Sequence, residues 1–185
     1  MEPLTNKEKE AAQAAAIAQK AGVALDECYQ CGKCSAGCPM AHAMDLMPRQ
    51  LVHCLRTGQA DLVLHSRSIW LCATCHTCVE RCPHSIDIPS LVEASRQAAE
   101  REGICAVQEV GKFNDIFMEN VRVFGKSQEV ILEGLYNVAS GHFLQDMNNA
   151  PRMALKGIIR PELQTVRNKA QVRDLLAAAE EEDRK

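Results

Sequence analysis

Cys28-Tyr-Gln-Cys31-Gly-Lys-Cys34-Ser-Ala-Gly-Cys38-Pro39 is answered further along the chain by Cys72-Ala-Thr-Cys75-His-Thr-Cys78-Val-Glu-Arg-Cys82-Pro83. Both stretches read C-x2-C-x2-C-x3-C-P. Eight of the ten cysteines fall into this one pattern, used twice. Packing gives no reason for such a repeat. It is the spacing of bacterial-type ligands for [4Fe–4S] clusters. The rest of the chain is read outward from it, as scaffold and docking surface.

Ligand chemistry supports that reading. Thiolate sulfur is soft and suits iron in tetrahedral sites. Three cysteines at steps of three wrap a tight loop, so all three sulfurs can face one cluster. The fourth leaves the loop in another direction, and in two-cluster proteins it serves the other cluster. One cluster is therefore expected on Cys28, Cys31, Cys34 and Cys82, and the other on Cys72, Cys75, Cys78 and Cys38. Such crossing staples the motifs together and keeps the clusters within electron-transfer range. The proline after each fourth cysteine fixes φ and has no N–H, which stops the chain continuing helically into the cluster.

Cysteine has two competing uses. Structural zinc takes four ligands from two short hooks and does not ask for a third and fourth cysteine, then proline, in both halves. Disulfides need an oxidising compartment. Met1 is followed by Glu-Pro-Leu-Thr, with no apolar signal core, so the reducing cytoplasm is the expected location. Cys54 and Cys105 lie outside both motifs and read as small buried hydrophobes. Lys33 and Arg81 stand where they could offset the anionic charge of a thiolate-bound cluster. His76 and His84 flank the second motif and read as surface residues or as groups behind the ligands.

The 185 residues suffice for one domain, or a small domain with extensions. A net charge of −3 with balanced lysine and arginine gives no sign of nucleic-acid binding. Aromatics are only 4%, so an aromatic-rich core is not expected and metal ligation should hold the central part together. No apolar run approaches the length of a membrane span, so no direct insertion is expected.

Taken in order, Thr5-Asn-Lys-Glu8 has the capping-box form. It opens an alanine-rich helix, ended at Gly22, that is expected on the surface or on a partner. From Pro39 to Leu71 the spacer holds 33 residues. Pro48 opens a helix in it, Leu51, Val52 and Leu55 form its apolar stripe, and Gly58 closes it. Asp61–His65 is a short apolar stretch and a further turn runs to Leu71. Trp70 reads as core, or as a shield before Cys72. Asp87 and Pro89 open a helix to about Glu102, with Ser90 and Glu93 at capping-box spacing and Gly103 as its stop. Helices, not strands, are thus expected around both motifs.

Val110, Phe113, Phe117, Val121 and Phe124 then recur at helical spacing, ended at Gly125. Residues 126–144 read as a short helix broken at Gly134 and Gly141. Asn148–Pro151 reads as a loop, Pro161 opens a last helix, and Glu180–Lys185 frays. The aromatic stripe either docks into another protein or packs back on the cysteine domain. No Gly-rich phosphate loop and no nucleophile–base pair is visible, so no catalytic residue is assigned.

The paired motifs, the helical spacer and the cysteine-free tail resemble the C subunit of heterodisulfide reductase, a member of the alpha-helical ferredoxins. The likeness covers Glu27 to Glu102, and the tail in general layout. It implies an all-α protein: an N-terminal helix over 1–24, a helical ferredoxin domain over 25–106 with two [4Fe–4S] clusters, and a helical docking region over 107–185. It implies an electron-transfer component of an oxidoreductase complex, which by itself only carries electrons. Its partners would be a flavoprotein like the family's A subunit and a Cys-Cys-Gly protein like its B subunit, where a disulfide is reduced. The chain has no such Cys-Cys-Gly repeat, and it resembles the soluble type of C subunit. Two alternatives stay open. One is the iron–sulfur component of a glycolate, lactate or glycerol-phosphate dehydrogenase. The other is a zinc-stabilised structural module.

Overall fold

The computed structural model describes residues 5–141, 150–157 and 166–183. Every regular element among them is helical. Helix α1 is Asn6–Ala21, followed by a single 3-10 turn at Leu25–Glu27 and by α2, Lys33–Ala36. Then come α3 (Pro48–Arg56), α4 (Ala60–Leu64), α5 (Ser68–Leu71), α6 (Thr77–Glu80) and α7 (Ile88–Arg101). The remaining helices are α8 (Gln108–Phe124), α9 (Glu129–Ser140), α10 (Ala150–Leu155) and α11 (Lys169–Asp183). The chain divides into two compact units, Met1–Val107 and Gln108–Lys185.

In the first unit the core lies beside the cysteine loops. Leu51, Val52 and Leu55 of α3, Val63 and Leu64 of α4, Ile69 and Trp70 of α5, and Leu91 and Val92 of α7 are all buried. The i, i+1, i+4 pattern in α3 sets one apolar stripe inward, and Pro48 opens that helix at its first position. The structure differs from expectation at α1. This helix packs on α7, α3 and α4, burying Ala14, Ile17 and Ala18. Alanine is what allows it: the space for a Cβ on Gly58 ends 3.0 Å from the Ala11 Cβ, a backbone approach that larger side chains would prevent. The expected capping box is present, with Thr5 N–H donating to Glu8 at 2.7 Å.

Helix α7 is opened by Asp87 and Pro89, as expected. Asp87, not Ser90, is its N-cap: the carboxylate accepts from Ser90 N–H at 3.1 Å and from the Ser90 hydroxyl at 2.8 Å. Proline in the first turn leaves Asp87 as the nearest side chain able to reach those donors.

In the second unit α9 and α11 pack on α8. Phe113 stacks on Phe117, with centroids 6.3 Å apart, and meets Tyr136 of α9 edge-on at 5.6 Å. Asn120, buried, holds the α8–α9 turn by accepting from Gln128 N–H at 2.8 Å and donating to Gln128 C=O at 3.3 Å. Helix α9 runs through Gly134 without a break. One glycine costs about 1 kcal/mol in a helix interior, which packing on α8 offsets. Ala150–Leu155 is helical where a loop through Pro151 was expected; proline is tolerated there because it sits in the first turn. The predicted start of the last helix at Pro161 lies outside the described residues, as do the last two positions of the expected fraying tail.

Candidate metal centre

Two loops of unlike sequence adopt one backbone. In the first, Gln30 and Gly32 have φ of 63° and 80°; in the second, Thr74 and His76 have φ of 46° and 57°. Each pair flanks the middle cysteine of its motif. Glycine takes the left-handed region freely, but Gln30, Thr74 and His76 do so at a cost of order 1 kcal/mol each. Strain repeated at matched positions marks a shape the loop must hold. Each loop then runs into a one-turn helix, α2 or α6, that carries the third cysteine.

The loops set their thiols around two separate cavities. Cys28, Cys31, Cys34 and Cys82 line one. Cys38, Cys72, Cys75 and Cys78 line the other. Each cavity therefore takes three cysteines from one motif and the fourth from its partner. Among the described residues, no three His, Cys, Asp or Glu side chains close in tightly enough for a single ion; the thiols surround a space instead. Four soft donors around a walled space fit a four-iron core.

The two sets share a pattern of exposure. Cys31 and Cys75, the middle cysteines, are exposed, while Cys34 and Cys78 are half-buried. Burial pushes the Cys34 thiol up and the Cys78 thiol to about 11. The Lys33 N–H holds the Cys31 thiol down, and the Thr77 hydroxyl, 3.4 Å from Cys75 Sγ, does the same for Cys75.

Three supports were not legible in the motif. Arg56 of α3 donates to the Cys28 carbonyl at 2.7 Å, and Arg96 of α7 donates to the Cys72 carbonyl at 2.7 Å. The first cysteine of each motif is thus pinned by an arginine on the following long helix. Arg96 also donates to the Ile69 carbonyl in α5. Asp45 binds the approach to the second motif. It accepts from the Ser66 and Ser68 hydroxyls at 2.5 and 2.7 Å and from Arg67 N–H at 2.9 Å. Burial alone would raise this carboxyl; the hydrogen bonds from Ser66, Ser68 and Arg67 outweigh it and hold it well below the usual carboxylate range. No spacing rule signals these residues, because each contact joins positions more than twenty apart.

Of the remaining sequence candidates, Lys33 lines the first cavity. The Arg81 side chain lies over Gly37, where an added Cβ would come within 2.6 Å of it. That contact joins the residues that precede Cys38 and Cys82. His84 meets Tyr29 edge-on at 5.2 Å beside the first cavity, and exposed His76 supplies a left-handed turn. Trp70 is buried in the core and is not on the wall of either cavity. Cys54 is buried in α3 with its thiol pushed up by burial. Cys105 donates to the Val107 carbonyl at 3.3 Å.

Residues 24–86 match the family model described as a 4Fe-4S dicluster domain. Over 84 residues the chain is 37% identical to the iron-sulfur C subunit of the CoB--CoM heterodisulfide reductase of Methanopyrus kandleri, covering 45% of this chain and 44% of that protein. Over 85 residues it is 33% identical to the C subunit of the H(2):CoB-CoM heterodisulfide,ferredoxin reductase of Methanothermobacter thermautotrophicus, covering 46% of each. Over 92 residues it is 40% identical to the C subunit of the ferredoxin:CoB-CoM heterodisulfide reductase of Methanosarcina acetivorans, covering 50% of this chain and 36% of that protein. The chain spans about half the length, or less, of these relatives. Every regular element among the described residues is helical, residues 24–86 match the 4Fe–4S dicluster domain, and about half of the chain is similar to heterodisulfide reductase C subunits.

Proposed function

We propose that the chain is the electron-carrying iron–sulfur component of a heterodisulfide-reductase-type complex. The crossed grouping of thiols around two cavities carries this reading. Cys28, Cys31, Cys34 and Cys82 would hold one [4Fe–4S] cluster, and Cys38, Cys72, Cys75 and Cys78 the other. Bound clusters supply one-electron redox chemistry. The protein's own groups bind, orient and exclude water. Arg56 and Arg96 fix the first cysteine of each loop. Apolar side chains such as Leu51, Ile88 and Val92 wall the second cavity. No side chain is asked to break a bond.

The three relatives described above are C subunits of heterodisulfide reductases by name. In this reading the chain relays electrons, in the cytoplasm, between a flavoprotein resembling the A subunit and a Cys-Cys-Gly protein resembling the B subunit. Its second unit, Gln108–Lys185, serves as the docking region. Among the described residues no helix is long and apolar enough to cross a membrane.

Anaerobic affinity purification from the native cell tests both levels. About eight iron and about eight acid-labile sulfide per chain are expected for two clusters, together with a flavoprotein and a Cys-Cys-Gly protein in the mass spectrum. Zinc without labile sulfide would overturn the cluster reading. Recovery of a 2-hydroxy-acid or glycerol-phosphate dehydrogenase would overturn the choice of complex alone.

A further inference from the structure

The two cavities share their donor set and loop backbone and differ in the charged residues on their walls. The first is polar. Gln30 Nε2 donates to Cys28 Sγ at 3.3 Å, and Lys33, Arg49, Glu27 and His84 stand on its wall. Two of these groups are cations and one is an anion. The Arg49 backbone N–H donates to the Ser35 hydroxyl at 3.0 Å, and its Cδ passes near Gly32. Among the described residues, none that walls the second cavity is charged. Its two hydroxyls are those of Ser68 and Thr77. Ser68 is turned away, donating to Asp45 at 2.7 Å, which leaves Thr77 beside Cys75.

Adding an electron to a thiolate-bound cluster adds negative charge. Donors to ligand sulfur and nearby cations favour that charge, and an apolar wall disfavours it. Both cations are exposed, so solvent screens them; the direct N–H from Gln30 is screened less.

We infer that the Cys28/Cys31/Cys34/Cys82 site has the higher reduction potential of the two, set by Gln30, Lys33 and Arg49, so that electrons run within this chain to it from the site whose described wall carries no charge. The step is a single electron transfer. The Cys38/Cys72/Cys75/Cys78 site is oxidised by one electron, the Cys28/Cys31/Cys34/Cys82 site is reduced by one, and no bond or proton moves. Cys75 and Cys31, both exposed, are then the entry and exit corners. A one-electron donor docks at Cys75 and a one-electron acceptor at Cys31. This direction rests on the proposed cluster assignment.

The test is a redox titration of the full chain, purified anaerobically and followed by EPR. Two separate midpoints are expected. Gln30→Met and Lys33→Met should each shift the higher midpoint to more negative values and leave the lower one in place. Lys33→Arg, which keeps the charge, should restore the wild-type value. Thr77→Val should lower only the lower midpoint. Coincident midpoints in the wild type would overturn the inference, and so would Gln30 or Lys33 variants that move the lower midpoint or neither. Iron content and helical signal, measured on each variant, show that the clusters and fold are retained. Failure to find two clusters in the wild type defeats the cluster assignment itself, a result distinct from two clusters whose potentials ignore Gln30 and Lys33.

Discussion

The unit that carries the cysteines and the unit that follows it are built on different terms. In the first, short helices bury a continuous apolar set running through α3, α4, α5 and α7. Arginine and aspartate side chains then tie its loops to that core. In the second, Leu132 is the one buried large apolar side chain among the described residues. Phe117 and Leu135 are 37% and 51% exposed. Much of what holds the second unit is polar: Asn120 clasping Gln128, and Arg122 bridging Glu119 and Glu180. A core that excludes water can fix a loop to fractions of an ångström. Helices joined by exposed pairs, each worth up to about 1 kcal/mol, cannot. The precise site therefore sits where the core is.

The sharpest way to break that comparison is to remove the staple between the motifs. Cys38→Ser should strip the site shared with Cys72, Cys75 and Cys78 and lower bound iron from about eight to about four per chain. EPR that instead shows loss of the site of Cys28, Cys31 and Cys34 would reverse the pairing.

Next in size is the core contrast. Leu91 is fully buried, and Leu91→Ala should cost about 3 kcal/mol in chemical unfolding. Leu135→Ala on α9 should cost under about 0.5 kcal/mol. Comparable losses at the two positions would mean that the second unit has a core of its own strength.

Within the second unit, Asn120→Ala should cost about 2 kcal/mol, because it takes from the buried Gln128 backbone the amide that now meets it. The readout is early loss of helical signal relative to the iron–sulfur absorbance. Simultaneous loss of both would argue against independent units.

The smallest effect is pH-dependent. Asp45 has a lowered carboxyl pKa in the folded state, so its contribution is present above the unfolded value near 4 and is lost as pH falls below it. Asp45→Asn should destabilise by about 1 kcal/mol at pH 7, discounted for the residue's exposure. The gap to wild type should stay constant down to about pH 5 and close below about pH 4. A gap that widens in acid would show the sign to be wrong.

Much of this is readable from the chain. The cysteine spacing leads to the motif pairs, and proline, glycine and apolar periodicity locate α3, α7 and α8. What escapes does so for identifiable reasons. Helix α1 is rich in alanine and shows little apolar contrast, so its burial depends on how closely α3, α4 and α7 approach. The N-cap of α7 is ambiguous in the sequence because both Asp87 and Ser90 are good caps, and only the backbone path selects between them. Arg56, Arg96 and Asp45 act across long sequence separations, where no periodicity reports a contact.

By itself, then, the sequence determined which atoms are available: eight thiols in two matched loops, with prolines that stop each loop and helices between them. A short-range pattern can do this because ligand spacing and backbone torsion are local properties. Only the tertiary structure decided that Arg49 of α3 joins the motif's own Lys33 on the wall of one cavity, while the described wall of the other carries no charge. That difference depends on which side chains of α3 and α7 are brought over each loop, and it is settled by packing rather than by spacing.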